Sequence, residues 1–96
     1  MSYVREDTVE GFLIEQVEAL GGVAYKFTSP GRKGVPDRMC CFTGAHIFYV
    51  ETKAPKGGVL SASQRREILR LKDMDFHVYT AITKDAVADV LIQEGF

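Results

Sequence analysis

The chain has 96 residues, a formal net charge of −1, 46% hydrophobic and 26% charged positions, and two cysteines. That is the balance of one small globular domain, taken as residues 1–96. No apolar run approaches the roughly 20 residues that cross a bilayer, and the amino-terminal Met1-Ser2-Tyr3-Val4-Arg5-Glu6-Asp7 is no signal peptide, so no membrane is expected and the expected location is the cytoplasm. Cys40 and Cys41 are adjacent, poorly placed for an ordinary disulfide and too few for a zinc site, and read as core filler.

Charge is unevenly spread. Residues 26–72 hold ten Lys or Arg against Asp37, Glu51 and Glu67, a balance of +7, and the flanks cancel it with −8. A basic centre in a neutral chain is a footprint for phosphate, although a set of solvated helix faces would give the same count.

Residues 5–20 read as an amphipathic helix stopped by Gly21-Gly22. At about 100° per residue, Val9, Leu13, Ile14, Val17 and Leu20 share an arc of roughly 140°. Glu6 and Glu10 fall inside that arc, whereas Glu15 and Glu18 fall outside it. Glu6 sits in the first turn, where the helix dipole favours an acid. Glu10 is deeper, and a carboxylate on a buried stripe needs a reason.

Val23 to Thr28 alternates like a first strand, followed by the loop Ser29-Pro30-Gly31-Arg32-Lys33-Gly34. That loop lacks the spacing of a P-loop and reads as a contact to phosphate backbone or substrate. Next come two strands of a hairpin turning at Thr43-Gly44-Ala45, with Asp37 opening the first and Glu51 and Lys53 closing the second. Residues two apart in a strand share a face, so Glu51 and Lys53 project together. Pairing about the turn brings Asp37 to the same end. Ser61-Ala62-Ser63-Gln64 has the spacing of a capping box for a helix running to about Met74, and Gln64 shares the inward stripe of Ile68 and Leu71. Phe76 to Ile82 reads as a further strand and Lys84 to Gln93 as a closing helix. His46 and His77 have no partner at ligand spacing and read as packed or edge histidines. The order α-β-β-β-α-β-α implies an α/β fold, one mixed sheet flanked by helices.

Two carboxylates and an ammonium at one end of apolar strands form either a structural ion cluster or a site. Asp37 and Glu51 repel unless a cation lies between them, and all-oxygen ligation suits Mg²⁺, with Mn²⁺ able to substitute. Such an ion polarises a phosphodiester and activates a bound water. Lys53 is placed to orient that water or to stabilise charge on the phosphate, and Glu10 adds a third carboxylate if the first helix packs over the open end of the hairpin.

Pro36-Asp37, a spacer and Glu51-Thr52-Lys53 resemble the PD-(D/E)xK signature of the restriction-endonuclease-like nucleases, and the element order matches that common core. More narrowly, the chain resembles the virus-type replication-repair nuclease (VRR-NUC) domain. The resemblance rests on the first helix ending in Gly21-Gly22, on Lys26, on Gly34-Val35-Pro36-Asp37-Arg38, on Val50-Glu51-Thr52-Lys53, and on Ser61-Ala62-Ser63-Gln64. It implies that Asp37 and Glu51 are metal ligands, with Glu10 and the Thr52 carbonyl as further ones, that Lys53 is the catalytic lysine, and that Gln64 serves the site. It implies a metal-dependent endonuclease acting on DNA, in a bacterium or as a phage protein in its host. Lys26, Arg32, Lys33, Arg38, Lys56, Arg65 and Arg66 are then the candidate phosphate contacts. Stand-alone members look like junction-resolving dimers, so a homodimer acting on branched DNA is expected. Two other classes compete: a non-catalytic DNA-binding module that kept the fold, and a protein-interaction domain docking through the acidic flanks.

Overall fold

The structure, a computed structural model, describes residues 5, 7–54 and 57–96. Glu6 and Lys56, singled out above, lie outside the described residues. In chain order the elements are α1 (Val9–Ala19), β1 (Val23–Lys26), β2 (Arg38–Phe42), β3 (His46–Thr52), α2 (Ala62–Asp73), β4 (Val78–Ala81) and α3 (Lys84–Gln93). The strands form one mixed sheet in the order β1-β2-β3-β4. The first two pairings are antiparallel, and β3 pairs with β4 in parallel, which requires the crossover that α2 supplies.

The expected order of elements is the observed one, and the boundaries move for local reasons. Helix α1 starts later than residue 5 because the Thr8 hydroxyl caps it, accepting from the Gly11 N–H at 3.0 Å. Leu20, expected on the buried arc, is instead the C-cap and 45% exposed, because the chain turns away at Gly21 (φ +90°). β4 starts two residues late: Met74 closes α2, Asp75 takes a left-handed φ of +69°, and the Phe76 N–H bonds back to the Leu71 carbonyl.

Strand alternation divides the interior in two. Ala24, Cys40, Phe48 and Val50 face α1 and α3, meeting Leu13, Val17, Val87 and Leu91. Met39, Tyr49 and Val78 face the other way, onto Ile68 and Leu71 of α2. Both faces of β3 are therefore covered, which explains its near-continuous burial from Phe48 to Thr52.

The end of the sheet remote from Asp37 and Glu51 is closed by Glu94, the C-cap of α3. Its carboxylate accepts from His46 Nε2 and His77 Nδ1, each at 2.7 Å, and from the Tyr79 hydroxyl. Burial alone would raise the Glu94 carboxyl, but the hydrogen bonds from Tyr79, His46 and His77 outweigh it and hold the carboxyl below its ordinary 4.5. A depressed carboxyl contributes stability that is complete above the unfolded value and is lost as pH falls through the folded one. Glu94→Ala should accordingly cost about 2 kcal/mol at neutral pH, since three polar groups lose their acceptor. It should also remove part of the acid sensitivity below pH 4.5, measured as urea midpoints against pH. Identical acid limbs in variant and parent would contradict this account of the clamp.

Candidate active site

At the opposite end of β3 the charged residues converge. β2 and β3 pair in the register Arg38↔Val50, and one step further the Asp37 N–H donates to Glu51 Oε1 at 3.2 Å. Asp37 Oδ2 in turn accepts from the Thr52 N–H at 3.3 Å and from its hydroxyl at 3.2 Å. Lys53 Nζ lies 3.2 Å from Glu51 Oε2. Thr52 thus braces Asp37 while Glu51 and Lys53 stand side by side, as period-two alternation requires.

Gln64 bonds both to its helix cap and to Glu51. Its Oε1 accepts from the Ser61 N–H at 2.8 Å, completing the capping box, while its Nε2 donates to Glu51 Oε2 at 3.0 Å. Only one orientation of the amide satisfies both bonds, since the oxygen cannot donate and the nitrogen cannot accept. Approach of α2 to this end is close: Gly34, at φ +89°, packs against the Ser63 carbonyl where no side chain fits.

Glu51 is 1% exposed. Burial raises its carboxyl, the neighbouring charge of Asp37 raises it further, and Lys53 and the Asp37 N–H oppose both; the net direction is upward. Two carboxylates held together in a poorly solvated position are a donor set for a hard cation, which would relieve both effects. Among the described residues no group of three His, Cys, Asp or Glu is placed to hold a metal. The described residues offer the pair Asp37 and Glu51. Such a pair fits Mg²⁺ or Mn²⁺, because a small hard ion keeps several waters and takes one or two carboxylates together with substrate phosphate oxygens.

Glu10 is not brought to that pair. Its Oε2 is held by Arg38 Nε at 2.9 Å and lies 3.7 Å from Lys26 Nζ. It does line, with Asp37, Thr52, Lys53, Thr8 and Thr83, a cleft of about 790 Å³ between the start of α1, the end of β3 and the start of α3. Arg38, expected as a phosphate contact, needs correcting: it is 8% exposed and spends its guanidinium on Glu10 and, at 3.2 Å, on the Ala24 carbonyl. The signal was present in the sequence. Arg38 is two residues from Cys40, so alternation turns it toward α1, where the buried-stripe Glu10 lacked a counter-ion.

The other expected phosphate contacts among the described residues are exposed. Lys33 and Arg66 extend from the loop and from α2. Arg65 donates to the Leu60 carbonyl at 3.0 Å, and Arg32 pins its loop to α2 through Glu67, also at 3.0 Å.

No family model matches the chain. It is 42% identical over 85 residues, 88% of this chain and 90% of the relative, to the protein named "Putative nuclease p44" of Acyrthosiphon pisum secondary endosymbiont phage 1. A solved structure named "VRR_NUC domain" superposes with a TM-score of 0.81 at 30% identity, covering 92% of this chain and 94% of that one.

A raised carboxyl carries a sign. The contribution of Glu51 to stability is complete below its unfolded value and is lost as pH rises through the folded one. At neutral pH in EDTA, Glu51→Gln should therefore melt a few degrees above the parent, and the gain should shrink toward pH 4. A variant that melts well below the parent at pH 7 would mean that the ionised carboxylate is a structural anchor and not a strained pair.

Proposed function

Because the chain belongs to the VRR-NUC family, we propose that it is a metal-dependent endonuclease hydrolysing phosphodiester bonds in DNA, with a preference for branched substrates. The observation that carries the reading is the juxtaposition of Asp37 and Glu51, with the Lys53 ammonium 3.2 Å from Glu51, at the edge of a cleft. Asp37 and Glu51 would hold Mg²⁺, or Mn²⁺ in its place, with the Thr52 carbonyl a further ligand. When bound, the ion supplies Lewis-acid polarisation of the phosphate and a bound water of lowered pKa.

The chain's own groups do the rest. Gln64 and the Asp37 N–H fix the Glu51 carboxylate, so its direction is set before substrate arrives. Lys53 lines the cleft and is 22% exposed at its side chain, so its charge faces the phosphate and stabilises the negative charge that builds there. Glu10 lines the same cleft, braced by Arg38, where it can accept a hydrogen bond from the reacting groups. Lys26, Lys33, Arg65 and Arg66, together with Arg32 and Lys56, provide backbone contacts that add affinity without reading sequence.

Nicking of supercoiled plasmid tests the reaction. Cleavage should require Mg²⁺ and stop in EDTA, and Asp37→Asn, Glu51→Gln and Lys53→Ala should each lower kcat by on the order of 10²–10³. Glu10→Gln should lose most activity, while Glu15→Gln and Glu18→Gln, which are exposed on the far side of α1, should retain it. Full activity in the Asp37 or Glu51 variant would sink the assignment, and comparable losses at all three helix glutamates would mean that α1 acts through bulk charge. DNA binding without any cleavage would favour the non-catalytic module.

The preferred assembly is a homodimer acting on four-way junctions. What supports it is the edge of the sheet at β1, where Val23 and Tyr25 are 46% and 51% exposed on a strand with one unpaired side. Two copies would present two cleavage sites related by a two-fold, matching the symmetry of a four-way junction. Light scattering should give twice the chain mass at micromolar concentration, and junctions should be cut faster than matched linear duplex at equal salt. A monomer would refute the assembly, and equal cutting would refute the preference.

A further inference from the structure

Besides Lys53, the cleft beside Asp37 has basic lining residues that the reaction just described does not use. Its basic members among the described residues are Arg5, Lys53 and Lys84. Arg5 is neutralised by Asp7 at 2.7 Å, and Lys53 is engaged by Glu51 at 3.2 Å. Lys84 has no carboxylate within ion-pair distance among the described residues. It is the first residue of α3, directly after the N-cap Thr83, which lines the same cleft.

The ammonium of Lys84 is nevertheless positioned. It sits 5.6 Å from the ring centroid of Phe12, a residue of α1, within the range of a cation–π contact. That contact spans the two helices forming the cleft wall and costs the ammonium none of its hydrogen-bonding capacity, since the ring offers only its face. A charge held in place, with no carboxylate partner among the described residues, beside a cleft that Asp37 also lines, is suited to an anionic ligand. The volume of about 790 Å³ is that of a small-molecule site and suits a short stretch of one strand rather than a duplex.

We propose that Lys84 binds the phosphodiester neighbouring the scissile one, and that Phe12 holds its ammonium there, so that the strand being cut is threaded between the starts of α1 and α3. This rests on the nuclease reading and adds a substrate-binding residue to it. No covalent step is involved. The contact would act on how the strand is held and not on the chemistry at the scissile phosphate, so its loss should appear in KM and leave kcat nearly unchanged.

The test uses the full chain with a fluorescein-labelled four-way junction and matched duplex. In EDTA, fluorescence anisotropy should show Lys84→Ala weakening binding about fivefold, the upper range for one exposed ion contact. The slope of log K against log salt should fall by about 0.7–0.9, the share of one phosphate. Lys84→Arg should restore both, and Phe12→Leu should reproduce part of the loss while the salt slope stays near wild type. In Mg²⁺, Lys84→Ala should raise KM with kcat held within about twofold. Unchanged affinity and slope in Lys84→Ala would overturn the inference, as would a loss confined to kcat. A wild-type protein that binds but never cuts would overturn the nuclease reading instead, and the anisotropy arm would still decide Lys84.

Discussion

The functional end of the fold is organised around one buried side chain, whose placing matters more than its charge. Glu51 lies at the end of the central strand β3, sealed from solvent, and each of its oxygens is assigned: Oε1 to the Asp37 N–H, Oε2 to Gln64 and Lys53. Burying such a group without partners would cost several kcal/mol. The partners come from three separate places in the chain, namely the residue before β2, the first turn of α2 and the residue after β3. Satisfying Glu51 therefore fixes the register of the hairpin and the seat of α2 together.

The two ends of the sheet solve related problems differently. At the Glu94 end one carboxylate is surrounded by neutral or cationic donors, which lower its pKa and make the cluster a fastener. At the Glu51 end two carboxylates share a poorly solvated position, and a single lysine only partly compensates for burial and for Asp37. Incomplete compensation of this kind, in a group beside a cleft, makes Glu51 a candidate for a functional role. α3 links the ends, with Glu94 fastening its carboxyl terminus and Thr83 and Lys84 placing its amino terminus on the cleft.

Much of this was legible from residue spacing. The alternation of β3 and the turn at residues 43–45 place Asp37, Glu51 and Lys53 together, while the Ser61–Gln64 box marks a helix cap and it is the family resemblance that points Gln64 to the site. What spacing alone concealed were contacts across the sheet. Arg38 looked like a surface cation because it follows Asp37 in a basic region, whereas alternation with Cys40 sends it inward to Glu10. Leu20 looked buried because helical periodicity was extended one residue past the point where Gly21 turns the chain. Lys84 carried no signal, since its significance comes from α3 docking beside α1, a packing that no local pattern encodes. The Glu94 clamp was invisible for the same reason: its members are separated by up to 48 residues.

The central claim is that Asp37 and Glu51 form a divalent-cation site. Titration of Mn²⁺ into the protein, followed by electron paramagnetic resonance of the free ion, measures this without substrate or catalysis. The account expects one Mn²⁺ per chain, displaced by Mg²⁺ and absent in both Asp37→Asn and Glu51→Gln. Undiminished stoichiometric binding in the two variants, or none to the wild type with or without DNA, would contradict it.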